Sequence, residues 1–108
     1  MSNPAPALET LSYAFPGTKP AGPFAPVLAG VVGSGNLEVL LEASPEPVCR
    51  FDVQTSARGF GSIWEAVLGD FQRRHDLAGV RVSIHDMGAT PAVVGLRLSQ
   101  AVAQLRTP

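Results

Sequence analysis

Phe60-Gly61-Ser62-Ile63-Trp64-Glu65-Ala66-Val67-Leu68-Gly69-Asp70-Phe71 carries apolar side chains at Phe60, Ile63, Trp64, Val67, Leu68 and Phe71. Positions i, i+3, i+4, i+7, i+8 and i+11 make one continuous stripe of a helix, not the alternation of a strand. Burying these six side chains contributes ~1.5–3 kcal/mol each, an upper bound because unfolded chains are already partly collapsed. Ordering the backbone costs ~1–2 kcal/mol per residue, so the helix needs a sheet beneath it.

The flanking segments supply that sheet. Before the helix, Cys49, Phe51 and Val53 alternate with Arg50, Asp52 and Gln54. After it, Val80, Val82 and Ile84 alternate with Arg81, Ser83 and His85. Two half-buried strands joined through a helix predict a right-handed crossover pair. Thr90-Pro91 then starts a second helix, with Thr as cap and Pro at the first helical position. Val94, Leu98, Ala101, Val102 and Leu105 give it an apolar face.

Further upstream, Leu11, Tyr13 and Phe15 alternate with Thr10, Ser12 and Ala14 as a first strand. Residues 16–26 hold Pro16, Pro20, Pro23 and Pro26. They read as a loop, because proline cannot donate to a sheet ladder. The apolar run Val27 to Val32, the turn Gly33-Ser34-Gly35-Asn36 and the alternating Leu37, Val39 and Leu41 form a hairpin signal. The fold expected is α+β: a two-layer sandwich with a mixed or mostly antiparallel β-sheet and two helices packed on one face. Residues 1–108 are expected to be a single domain with a disordered tail at 1–7.

Composition narrows the function. The hydrophobic fraction of 45% and charged fraction of 16% are those of a globular chain. A net charge of -1, with Arg73-Arg74 as its one basic pair, argues against nucleic-acid binding. One cysteine, Cys49, excludes an internal disulfide and a multi-cysteine zinc site, and fits a reducing cytoplasmic setting. The N-terminus lacks a signal-peptide pattern, and no stretch approaches the ~20 apolar residues of a membrane span. No His, Asp or Glu spacing points to a metal site.

Gly33-Ser34-Gly35 is the most informative local motif. Two glycines free the backbone and clear side chains from around the serine, which places Ser34 at a turn tip where another protein's active site can reach it. The bland alternative is a glycine-dependent turn with an incidental serine. A nucleophile elbow needs glycines where Val32 and Asn36 stand, and a phosphate-binding loop needs a Gly-Lys-Ser/Thr that is absent. A triad of Ser34, His85 and Asp86 is disfavoured, because neighbours along a strand point to opposite faces. Asp86 and Gly88 read instead as a strand-to-helix turn, with Thr90 as the helix cap. His75 reads as a helix C-terminal cation, and Cys49 and Trp64 as core.

Three segments resemble the acyl-carrier (delta) subunit family of malonate decarboxylase. They are Val31-Val32-Gly33-Ser34-Gly35-Asn36-Leu37-Glu38-Val39-Leu40, then Thr55-Ser56 with Gly59-Phe60 and Trp64, then Ile84-His85-Asp86-Met87-Gly88-Ala89-Thr90-Pro91. Their spacing covers the chain from Leu11 to Leu105. Asn36 stands where the family pattern has an acidic residue, and Ala92 where it has glycine; neither is the attachment residue.

The resemblance implies a non-catalytic carrier subunit bearing covalently bound 2'-(5''-phosphoribosyl)-3'-dephospho-CoA on Ser34. The thiol of that group, not Cys49, would hold acetyl and malonyl thioesters while malonate is converted to acetate and carbon dioxide. The partners implied are the transferase and decarboxylase subunits, the prosthetic-group transferase and the malonyl transferase. Gly33, Gly35, Asn36, Glu38, His85, Asp86 and Thr90 are the candidate docking positions around Ser34. Two other readings stand beside this one: a non-covalent assembly subunit of a larger enzyme, and a small serine hydrolase using Ser34 and His85.

Overall fold

The computed structural model describes residues 8–31 and 34–106, and their side chains except at 31, 34–36 and 106. The expected tail at 1–7, and Gly33 with its neighbour Val32, lie outside the described residues. The elements run β1 (Glu9–Pro16), β2 (Lys19–Pro20), β3 (Val27–Val31), β4 (Ser34–Ala43), β5 (Val48–Thr55), α1 (Gly61–His75), β6 (Leu77–Ala78), β7 (Val80–Asp86) and α2 (Pro91–Arg106).

Five strands form one mixed sheet in the order β1-β5-β7-β4-β3. The β5 and β7 strands are adjacent and parallel, with Phe51 opposite Val82 and Thr55 opposite Asp86, as the interruption by a helix predicts. All the other ladders of this sheet are antiparallel. Alternation decides which face is covered. Leu37, Val39, Leu41, Cys49, Phe51, Val53, Val80, Val82 and Ile84 are buried. They join Trp64, Leu68 and Phe71 of α1 and Val94, Leu98, Ala101 and Val102 of α2 in one core. The opposite face carries polar groups in exposed pairs, among them Ser12 to Asp52 at 2.9 Å and Arg81 to Asp52 at 3.0 Å. One face of the sheet is therefore dry and the other is wet, the two-layer α+β arrangement expected.

The proline-rich segment departs from a plain loop. Lys19 and Pro20 pair in parallel with Leu77 and Ala78 as β2 and β6. Proline is tolerated here because the pairing is only two residues long and the neighbouring Lys19 and Ala21 amides donate to Asp76 and Ala78 carbonyls. Gln72 ties the same region together. Its Nε2 donates to the Pro16 carbonyl at 3.1 Å and the Leu77 carbonyl at 2.8 Å, and its Oε1 accepts from the Leu77 amide at 3.2 Å. Asp76 ends α1 in the left-handed region with φ 50, and its carboxylate accepts from the Thr18 amide and hydroxyl.

Candidate functional site

Ser34 is the first residue of β4, with Val31 as its partner across the ladder. The strand thus starts three residues earlier than the alternation of Leu37, Val39 and Leu41 indicates. Gly35 and Asn36, read from sequence as turn, are strand residues. Ser34 is therefore itself a strand residue at the start of β4. The pairing of β4 with β7 runs only from Leu37 opposite Asp86 to Ala43 opposite Val80. Ser34 lies beyond that last rung, with a strand partner on the β3 side alone.

The hairpin is shaped by Gly30, which sequence reading passed over. Its φ is +74, and the register between β3 and β4 shifts between Ala29 and Val31. A Cβ at Gly30 would stand 2.7 Å from the Leu37 carbonyl oxygen and 2.8 Å from the Arg97 guanidinium of α2. Only glycine fits both the backbone angle and the space.

Asp86 closes the same end of the sheet. It is buried, and the reason is local. Oδ1 accepts the Ala89 amide at 2.8 Å and the Gly88 amide at 3.3 Å, while Oδ2 accepts the Thr55 hydroxyl at 2.7 Å. Gly88 turns the chain with φ +106, and Thr90 Oγ1 accepts the Val93 amide at 3.4 Å at the start of α2. The strand-to-helix turn expected of Asp86, Gly88 and Thr90 is thus present.

His85 faces the other way. It pairs with Glu38 across the β4–β7 ladder on the open face, with Nδ1 3.8 Å from Oε1. That separation is too long for a hydrogen bond, and Nδ1 has no hydrogen-bond partner. His85 and Asp86 accordingly do not form the His–Asp pair a hydrolytic triad needs. Cys49 is buried in the core, and burial pushes its thiol up to about 12, so it is not a nucleophile at neutral pH. The His75 ring lies 4.4 Å from that of Phe71, half-buried against the core edge instead of fully solvated.

At this same end the two helices leave a groove of about 230 Å³ between them. Phe60, Ile63 and Trp64 line one side, and Ala89, Pro91 and Val94 the other, with Asp86 also at its wall. Two members of the helical stripe read as core are therefore not in it. Phe60 precedes α1 as its N-cap residue and is 45% exposed, and Ile63 is 46% exposed. No side chain caps α1, and neither helix has an acidic residue in its first turn.

The class so defined is a small α+β domain with a serine at the connected end of a hairpin, past the β7 ladder, and no metal-ligating cluster among the described residues. Comparison with known proteins gives the same neighbourhood a family. The model of the malonate decarboxylase delta subunit (MdcD) matches residues 25–105. A malonate decarboxylase acyl carrier protein of Burkholderia cepacia is 69% identical over 98 residues, covering 91% of each chain. Its counterpart from Xanthomonas axonopodis pv. citri is 55% identical, covering 92% of this chain and 96% of that one. In a crystal structure of a Pseudomonas malonate decarboxylase hetero-tetramer in complex with malonate, one chain superposes with a TM-score of 0.80 at 40% identity, over 90% of this chain and 98% of that one. The chain belongs to the malonate decarboxylase delta-subunit family.

Proposed function

We propose that this chain is the acyl carrier subunit of a malonate decarboxylase, with phosphoribosyl-dephospho-CoA joined to Ser34 through a phosphodiester. The observation that carries the reading is the position of Ser34 inside the family match, at a hairpin end that projects past the last β7 rung. The residues fit such a group. Among the described residues Ser34 has a strand partner on one side only, and the Asp86 carboxylate, opposite Leu37 in the same strand, is already occupied by three donors.

In the attachment step the Ser34 hydroxyl oxygen forms the new bond to phosphorus. Its proton passes to a base of the attaching enzyme, and the donor's leaving group departs with the electron pair of the broken bond. No base in this chain is required. The attached thiol would supply a thioester on which acetyl is exchanged for malonyl before carbon dioxide is released by partner subunits. The contribution of this chain is tethering, which holds that thioester at high effective concentration beside those subunits. Glu38, His85 and Thr90, close to the hairpin end, are proposed to contact them.

Intact mass of the protein purified from its native host tests the reading. It should exceed the sequence mass by one adduct of the CoA type, and Ser34→Ala should abolish both the adduct and decarboxylation by the assembly. An unmodified chain in an active complex would overturn it and favour a non-covalent assembly role.

A further inference from the structure

Among the described residues none fills the groove between α1 and α2, and it sits at the Ser34 end of the sheet. Asp86 lines it, and Asp86 is the residue opposite Leu37 in the β4–β7 ladder. Ser34 is three residues before Leu37, roughly 11 Å at most along the strand, and the cross-strand step from Leu37 to Asp86 adds about 5 Å. The whole phosphoribosyl-dephospho-CoA arm is longer than that path.

We infer that this groove receives the neutral acetyl-thioester end of the arm on Ser34 and disfavours the malonyl form; the inference rests on the carrier reading above. Size limits the occupant first. At about 230 Å³ the groove is smaller than the ~300–1,000 Å³ of pockets that enclose a drug-sized ligand, so it takes a short acyl tip and not the nucleotide end. Chemistry limits it next. Phe60, Ile63, Trp64, Ala89, Pro91 and Val94 are apolar, and no lysine or arginine is among the lining residues.

A malonyl carboxylate would enter without a side-chain cation and meet Asp86, the one charged lining residue. The uncapped start of α1 pulls the other way, but a helix terminus attracts an exposed anion only weakly. Desolvating a carboxylate with no partner costs much more, so exclusion wins. The exposed Phe60 and Ile63 then have a role: the chain keeps apolar surface uncovered where a neutral acyl group can cover it.

The chain has a single tryptophan, Trp64, and two isoleucines, Ile63 in the groove and Ile84 in the core. Those residues make a built-in nuclear magnetic resonance probe set. The arm-bearing protein, verified by intact mass, is compared as free thiol, acetyl and malonyl forms with isoleucine methyl and indole N–H labels. Acetylation should move the Ile63 methyl and Trp64 indole resonances and leave Ile84 in place, while the malonyl form should resemble the free thiol. Ile63→Glu should abolish the Trp64 shift while the adduct mass is retained.

Identical groove resonances in all three forms would overturn the inference while leaving the attachment reading intact. So would equal shifts for acetyl and malonyl, a Trp64 shift surviving in Ile63→Glu, or shifts seen only once partner subunits are added. A native protein with no adduct would instead remove the attachment reading itself.

Discussion

Thr55 and Asp86, the last residues of two adjacent parallel strands, are bonded to each other through their side chains, hydroxyl to carboxylate, at 2.7 Å. Each then organises the turn that follows it. The Ala57 amide donates to Thr55 Oγ1 at 3.1 Å, and the Gly88 and Ala89 amides donate to Asp86. The pair joins the approach to α1 to the approach to α2.

Removing the carboxylate should therefore cost stability more than reactivity. Asp86→Ala leaves a buried hydroxyl and two amides without their acceptor and is expected to lower unfolding free energy by about 3 kcal/mol. Thr55→Val should cost about 1 kcal/mol, and the double variant less than the sum because the two share a bond. Urea titration of the three variants measures this. Strict additivity would show that the bond carries no coupling.

Gly30→Ala tests the hairpin. The new methyl group meets the Leu37 carbonyl at 2.7 Å and must also accept φ +74. The backbone angle alone is unfavourable for an L-residue by ~1–2 kcal/mol, so a loss of about 2 kcal/mol in urea is expected. Loading at Ser34, followed by intact mass, should slow, since the register leading to that residue is disturbed.

Gln72→Leu keeps side-chain size and removes every polar contact to Pro16 and Leu77. Leaving the Leu77 amide and two carbonyls unsatisfied is expected to cost ~2–4 kcal/mol. Amide hydrogen exchange should rise first at Leu77, whose amide loses its acceptor.

Cys49 gives two readouts. With its thiol held at about 12 in the core, a disulfide reagent at pH 8 should find no reactive thiol in the unmodified native protein and one after denaturation. Any thiol titrated in the native arm-bearing protein then belongs to the arm.

The same burial sets an alkaline limb. The unfolded thiol ionises near its ordinary 9.0 while the folded one stays protonated to about 12. Its contribution is full below 9.0 and is lost as pH rises across that window, by roughly 1.4 kcal/mol per pH unit. Tyr13 acts in the same direction, raised by desolvation and then by Glu65 and Glu9. Cys49→Ala should flatten part of the limb above pH 9, and chemical denaturation at a series of pH values measures how much.

The parts of the fold written as periodicity were legible in the sequence. The alternation in β5 and β7 and the Thr90-Pro91 start of α2 appear where expected, because each pattern is decided within a few neighbouring residues. What depends on distant partners was not. The β2–β6 pairing exists through contacts of Lys19 and Pro20 with residues nearly sixty positions away, and no local signal marks it. Phe60 and Ile63 fit the helical stripe, yet the start of α1 reaches past the core and leaves them at the groove.

The candidate site divides the same way. The glycine neighbours of Ser34 and the family resemblance single that residue out in the sequence, whereas Gly30 reads there as part of an apolar run. Its positive φ arises only from the register shift against β4.

The strand order has a further consequence for how the chain matures. In β1-β5-β7-β4-β3, the strand made last lies in the middle. Until residues 80–86 arrive, a growing polypeptide can form only two separate ribbons, β1 with β5 and β3 with β4, which share no ladder. Only β7 joins the two ribbons into one sheet, and α2, which packs on β3 and β4, follows it in the chain. The hairpin that holds Ser34 is therefore tied to the rest of the fold only by the last quarter of the sequence.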